Sequence, residues 1–244
     1  MDRMIYLSMT GAKALMQRQE AVAHNLSNVS TTGFRADVMA FRSVPVRANG
    51  TATTRVANLE ATAGFDPNPG PMQTTGRPLD VAVRGQGWLA VTGIDGNEAY
   101  TRNGAFVVGP DGTLQTHNGY NVVGDGGPIV IPANSQVSIG SDGTITAKTG
   151  GQPPVPVGRL KLVDPPVADL HKGPDGLLRL ASGEAPADPN VRVADGTLEG
   201  SNVNVVEAMV GMITLARQFE LQMKMMQTSD SNDQKATQLL SLKG

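Results

Sequence analysis

The chain has 244 residues, 39% of them hydrophobic, 4% aromatic and 17% charged, with a formal net charge of -2 and no cysteine. That balance excludes a nucleic-acid surface, which needs clustered Lys and Arg, and it excludes disulfides, thiol nucleophiles and thiolate metal sites. No run approaches the roughly 18 apolar residues of a membrane span, so membrane insertion is not expected.

Residues 2 to about 28 read as an amphipathic helix. Met4, Gly11, Leu15, Val22, Leu26 and Val29 fall on one stripe at helical spacing, with Leu7 and Ala14 beside it. Polar Thr10, Lys13, Gln17 and Arg18 interrupt any apolar core that a secretory signal would need, so a route without a cleaved signal is expected. The stripe carries two amides, Asn25 and Asn28, where a buried helix would place leucine. It then breaks at Ser30-Thr31-Thr32-Gly33, and Phe34-Arg35 follows.

Residues 35–76 are polar, rich in Thr, Pro and Gly, and show no sustained periodicity. They are expected to form an extended linker, disordered if left alone. A linker of that length fits a segment that runs along something else.

From residue 77 to 199 the pattern changes to short apolar runs between turn signals. The runs are "LDVAVRG", "GWLAVTG", "GPIVIP", "GRLKLVD" and "VRVADGTLEG". Asp-Gly or Asn-Gly steps stand at Asp95, Asn103, Asp111, Asn118, Asp142, Asp175 and Asp195, and such pairs accept the positive φ of hairpin turns. An all-antiparallel β domain is expected. The echo of Asp-Gly-Thr at Asp111, Asp142 and Asp195 reads as a repeated turn solution. Trp88 lies between apolar strand residues and is assigned to the core.

Residues 200–244 return to helix. Val205, Met209, Met212, Ala216, Phe219, Met223 and Met226 repeat with alternating steps of four and three, a heptad seam. Asn204, three before Glu207, fits a capping box that starts the helix near Val205. A single β domain cannot cover two such helices, so their seams must meet each other, other subunits, or both. The fold class is α+β: long terminal helices forming a coiled-coil-like axial domain (1–34 and 200–244), the linker (35–76), and an outer β domain (77–199).

Chemistry is hard to place on this chain. His24, His117 and His171 lack metal-ligand spacing, and no GxSxG, Walker-type or strand-linked GxGxxG motif occurs. No cofactor is expected, and the chain is read as no enzyme.

"NLSNVSTTGFR" resembles the N-terminal signature of bacterial flagellar axial proteins, the rod and hook group. "RPLDVAVRGQGWLAV" with "AYTRNGAFVVGPDGTLQTHNGYNVVG" is similar to the β domain of that group, and "LEGSNVNVVEAMVGMITLARQFELQMKMMQTSD" to its C-terminal motif. The opening "MDRMIYLSMTGA" and the modest length look most like the proximal-rod member, with the distal-rod paralogue as alternative. The resemblance implies a structural subunit of the basal-body rod, crossing the periplasm and transmitting torque to the hook. Its partners would be other rod subunits, further copies of itself, and the flagellar type III export apparatus. The residues expected at the assembly interface are Asn25, Leu26, Asn28, Gly33, Phe34, Asn202, Asn204, Val205, Met209, Met212, Phe219 and Met223. Asn25 and Asn28 would satisfy polar groups between subunits and set register, or Asn28 would merely end the helix. Gly33 would let the chain turn outward. Two readings from another class remain: a peptidoglycan-cleaving enzyme using two of Glu98, Asp95, Asp111 and Asp142, and a glycan-binding domain using Trp88 and Tyr100.

Overall fold

A computed structural model of the chain describes residues 2–45 and 56–241, with side chains at 8–40, 64–232, 234–235 and 237–238. Met4 and Leu7 of the N-terminal stripe, and 46–55 of the linker, therefore lie outside the described side chains or residues. The chain divides into two compact units. One combines residues 1–27, 37–64 and 204–244; the other combines 28–36 with 65–203.

The first unit holds α1 (Asp2–Ser27), β1 (Asp37–Pro45), nearly all of β2 (Val56–Phe65), and, from the far end of the chain, a second long helix spanning Val205–Ser241. β1 and β2 pair as a two-stranded sheet, so the expected extended segment carries strands of its own. The two helices pack on each other. Small residues stand on the α1 side of the contact: Ser8 and Ala12 are buried, and a Cβ added to Gly11 would stand 3.5 Å from the Gln222 amide. The C-terminal helix, α2, starts as expected, because Asn204 Oδ1 accepts the N–H groups of Val206 at 3.0 Å and Glu207 at 3.3 Å. Its seam is half-buried at Met212, Ala216, Phe219, Met223 and Met226 but exposed at Val205 and Met209.

The second unit is antiparallel throughout its paired strands. In chain order they are β3 (Met72–Thr74), β4 (Val81–Arg84), β5 (Trp88–Thr92), β6 (Glu98–Thr101), β7 (Phe106–Val108), β8 (Leu114–Thr116) and β9 (Asn121–Gly124). There follow β10 (Gly127–Pro128), β11 (Ser135–Ile139), β12 (Thr144–Thr149), β13 (Val155–Arg159), β14 (Leu162–Val163), β15 (Leu170–Lys172), β16 (Leu178–Leu180), β17 (Arg192–Asp195) and β18 (Thr197–Glu199). The main sheet runs β15-β16-β6-β5-β9-β8-β7, and β11-β12-β13 form a second. β4 pairs with β17 and β3 with β18, so the end of this unit closes onto its beginning.

β5 explains why its apolar run does not alternate. Leu89 packs into one core cluster with Val81, Phe106 and Ile145, while Trp88 and Ala90 pack into another with Tyr100 and Leu170. Successive side chains point to opposite faces, and both faces are covered.

The turns are more uniform than the Asp-Gly steps alone indicate. Four of them share the frame Gly-x-Asp-Gly-x, starting at Gly93, Gly109, Gly140 and Gly173. In each, the first residue's N–H bonds the fifth residue's carbonyl at 2.8 Å, and the Asp carboxylate accepts the N–H of the residue after the second glycine. A Cβ on the first glycine would come within 2.6–2.8 Å of that carboxylate, which is why the frame opens on glycine. Asn103-Gly104 departs from the expectation. Gly104 has no positive φ, and its place is set by contact with the Val81 carbonyl, which a Cβ would strike.

Candidate functional site

The segment after α1 turns at Asn28–Ser30 and then lies on the β unit. Thr31 N–H bonds the Asn28 carbonyl at 3.1 Å, and Thr31 Oγ1 donates to Asn28 Oδ1 at 3.1 Å. Gly33 follows with φ +69°, a left-handed backbone that suits a turn at this glycine. The structure adds a second reason for glycine: a Cβ there would collide with the Arg102–Asn103 peptide group. Gly33 N–H donates to the Glu199 carbonyl at 2.7 Å.

Every residue of 33–36 is then engaged. Phe34 is buried beneath the Lys172 ammonium, 4.0 Å from its ring centre, and Lys172 Nζ also donates to the Arg35 carbonyl at 2.8 Å. Ala36 N–H donates to Asn202 Oδ1 at 2.7 Å, and the Asn202 amide nitrogen donates to the carbonyls of Asp66 and Asn68 at 3.1 and 3.0 Å. Asn202 thus ties two other stretches of chain, at residue 36 and at residues 66–68, with one side chain.

Beneath them lies a buried ionic cluster. Glu199, 0% exposed, receives Arg35 Nη1 on one oxygen at 2.6 Å and Arg102 Nη1 on the other at 2.9 Å. Gly70 N–H adds a bond to the same carboxylate at 3.0 Å. Arg35 also donates to the Asn68 carbonyl at 2.7 Å, and Arg102 to the Gly85 carbonyl at 2.7 Å. Both guanidinium carbons stand over the Trp88 ring, at 5.5 and 5.0 Å from its centre, and Phe65 meets that ring edge-on. Burial lowers the Arg102 pKa from its usual value; the Glu199 charge opposes that and the Arg35 charge adds to it. Such a cluster contributes little net stability when intact, because desolvation offsets attraction, but loss of one partner leaves buried charge uncompensated.

The expected site residues fall into two groups. Gly33, Phe34 and Asn202 meet in this junction, and Asn28 caps the turn leading to it. Asn25, Leu26, Asn204, Val205, Met209, Met212, Phe219 and Met223 belong to the helical segments. Asn25 finds its partners in its own chain: its amide accepts the Asp37 N–H at 2.7 Å and donates to the Asp37 carbonyl at 3.0 Å. His24 Nδ1 lies 2.5 Å from the Asp37 carboxylate beside it. Arg35, Arg102, Glu199 and Lys172 were not foreseen. Nothing in their immediate sequence marks them, and Arg102 and Glu199 are 97 residues apart.

The two readings from another class lose their groups. Trp88 and Tyr100 are 3% and 0% exposed, so neither offers a face to a glycan. Asp95, Asp111 and Asp142 are held below the usual carboxylate range, each first by a side-chain hydrogen bond, from Asn97, Thr113 and Thr144 respectively. Glu98 is taken by Lys161 at 2.6 Å and the Tyr100 hydroxyl at 2.9 Å. Among the described residues no three His, Cys, Asp or Glu converge as a metal set, and no helix is long and apolar enough to cross a membrane.

Three family models match the chain, covering residues 5–35 (flagella basal body rod protein), 82–147 (flagellar hook protein FlgE/F/G D1 domain) and 194–239 (flagellar basal body rod FlgEFG protein C-terminal). The chain is 47% identical to the flagellar basal-body rod protein FlgF of Salmonella typhimurium and 46% identical to that of Escherichia coli, covering 99% of this chain and 100% of each relative. It is also 32% identical, over 96% of its length and 98% of the relative's, to the flagellar basal-body rod protein FlgG of Buchnera aphidicola. The junction residues Arg35 and Glu199 fall within the first and last matched segments.

Proposed function

The chain belongs to the FlgF family of flagellar basal-body rod proteins and is a structural rod subunit rather than an enzyme, and from that premise we propose that it builds the proximal part of the rod by packing its terminal helices, coiled-coil fashion, against those of neighbouring subunits. The observation that supports this reading is the outer face of α2. Val206, Met209, Val210, Ile213, Leu221 and Met225 are 47–70% exposed. Val210, Leu221 and Met225 lie on the side of the helix opposite the half-buried Met212, Phe219 and Met223, Val206 and Ile213 lie on its flank, and Met209 continues the seam at its exposed N-terminal end. An apolar face this long is a binding surface rather than ordinary scatter.

In this reading Val205 and Met209 meet neighbouring subunits, which are other rod proteins and further copies of the chain. Met212, Phe219 and Met223 hold α1, with Leu26 on its partner face. Asn204 starts the helix, Asn25 holds Asp37 beside α1, and Asn28, Gly33, Phe34 and Asn202 fix the path of residues 28–36 on the β unit. The protein resides in the basal body, where laterally packed helices give the torsional stiffness a torque-bearing shaft needs. It reaches that place through the flagellar type III export apparatus with no signal cleaved.

The test replaces Met209 or Val210 with aspartate in the full chain. An exposed substitution should leave the melting of the purified protein nearly unchanged. Each variant should be secreted yet missing from isolated basal bodies, because assembly would bury an unpaired charge. Normal incorporation and normal swimming of both would remove α2's outer face from the interface.

A further inference from the structure

Residues 33–36 depend chiefly on one other stretch of chain. The Gly33 and Ala36 N–H groups donate to the Glu199 carbonyl and to Asn202 Oδ1, both at 2.7 Å, and the Asn202 N–H returns a bond to the Phe34 carbonyl at 3.3 Å. The Arg35 guanidinium meets the Glu199 carboxylate.

The charge count at the site makes this dependence sharp. Without residues 33–36 the site holds Arg102 and Glu199 in contact at 2.9 Å, one buried charge of each sign, with the exposed Asp164 acting on Arg102 from outside. Docking brings a second guanidinium and no second buried carboxylate. It also leaves Arg35 Nε, Arg35 Nη2 and Arg102 Nε buried without a hydrogen-bond partner. The segment therefore arrives at an electrostatic cost, and what retains it is the set of bonds to residues 199–202, with help from Lys172.

We propose that residues 199–202 are a latch: the docking of residues 28–36 on the β unit is conditional on this C-terminal crossing, and the segment opens separately from the strands beneath it. A chain that emerges N-terminus first, from a ribosome or a secretion channel, thus completes its N-terminal junction only after residue 202 is free. Nothing in this depends on which surface α2 uses in the rod.

Amide exchange on the full chain tests it, with Glu199→Gln and Asn202→Ala. Neither substitution removes the acceptor of the Gly33 N–H, which is a backbone carbonyl. Gly33 should exchange at least tenfold faster in each variant, while β5 and β12 keep wild-type rates. In pulse-labelled refolding of the wild type, protection at Gly33 should appear no earlier than in β17 and β18. Wild-type exchange at Gly33 in both variants would overturn the latch, as would protection of Gly33 before β17 and β18. If Glu199→Gln does not fold, because two guanidiniums are then unmatched, Asn202→Ala leaves the charges intact and decides alone. Uniform acceleration through β5 and β12 in Asn202→Ala would show that the segment has no separate opening, and would also overturn it.

Discussion

Replacing Gly33 by alanine separates two physical reasons for one glycine, provided Gly76 is replaced in parallel. The two have nearly the same backbone angle, φ +69° and +72°. Around Gly76 a Cβ would meet nothing within 4 Å, whereas at Gly33 it would collide with the Arg102–Asn103 peptide. Left-handed backbone costs an alanine roughly 1–2 kcal/mol, and the stiffer unfolded chain returns about 0.4–1 kcal/mol of that. Gly76→Ala should therefore lose on the order of 1 kcal/mol or less. Gly33→Ala bears the same strain plus a displacement of main chain beside a buried arginine, an overpacking cost of about 1–3 kcal/mol. The assay is urea denaturation followed through Trp88, the single tryptophan, which stands under both Arg35 and Arg102. Exchange at the Ala36 amide then locates the damage, since its acceptor is Asn202. Losses for the two variants that agree within about 0.5 kcal/mol would refute the collision argument and leave backbone angle as the whole reason for Gly33.

Asn25→Leu should destabilise the isolated chain by about 1–3 kcal/mol, because it strands the Asp37 N–H and carbonyl in a half-buried place; unchanged stability of the monomer with a defect only in assembled rods would instead return Asn25 to a subunit interface. Asp175 is held below the usual carboxylate range first by its hydrogen bond to Arg179, a bidentate contact with Asp175 oxygens at 2.9 and 2.7 Å. A depressed folded pKa stabilises above the unfolded value of 3.8 and is lost as pH falls through the folded one. Wild type should thus exceed Asp175→Asn by about 0.5–1 kcal/mol at pH 7, and the gap should close below 3.8; a gap that persists in acid would mean that the turn geometry and not the charge is responsible.

Much of this protein is legible in one dimension because its signals are local. Helical periodicity needs only neighbours three and four apart, so α1 and the start of α2 at Asn204 were readable directly. The positive φ of Gly33 was readable too, since a glycine ending a periodic run has few other uses. The same holds for the turns, although the reason for the first glycine in Gly-x-Asp-Gly emerged only from the approach of the carboxylate. The strands in residues 37–45 and 56–65 were missed because each is irregular alone and is defined by pairing with the other.

What only the tertiary structure decided is where the charges go. Arg35, Arg102 and Glu199 look like ordinary surface residues in a sequence, since nothing local distinguishes a charge that will be buried. Folding brings them together under Trp88 across separations that no periodicity reports. Asn25 makes the same point from the other side. An amide on an apolar stripe announces a polar partner, but whether that partner is a neighbouring subunit or the chain's own Asp37 is settled by the path of residues 28–36. Secondary structure follows from interactions a few residues long, and this chain writes those plainly. The junction follows from Coulomb attraction and desolvation between groups that meet only once the chain has closed on itself.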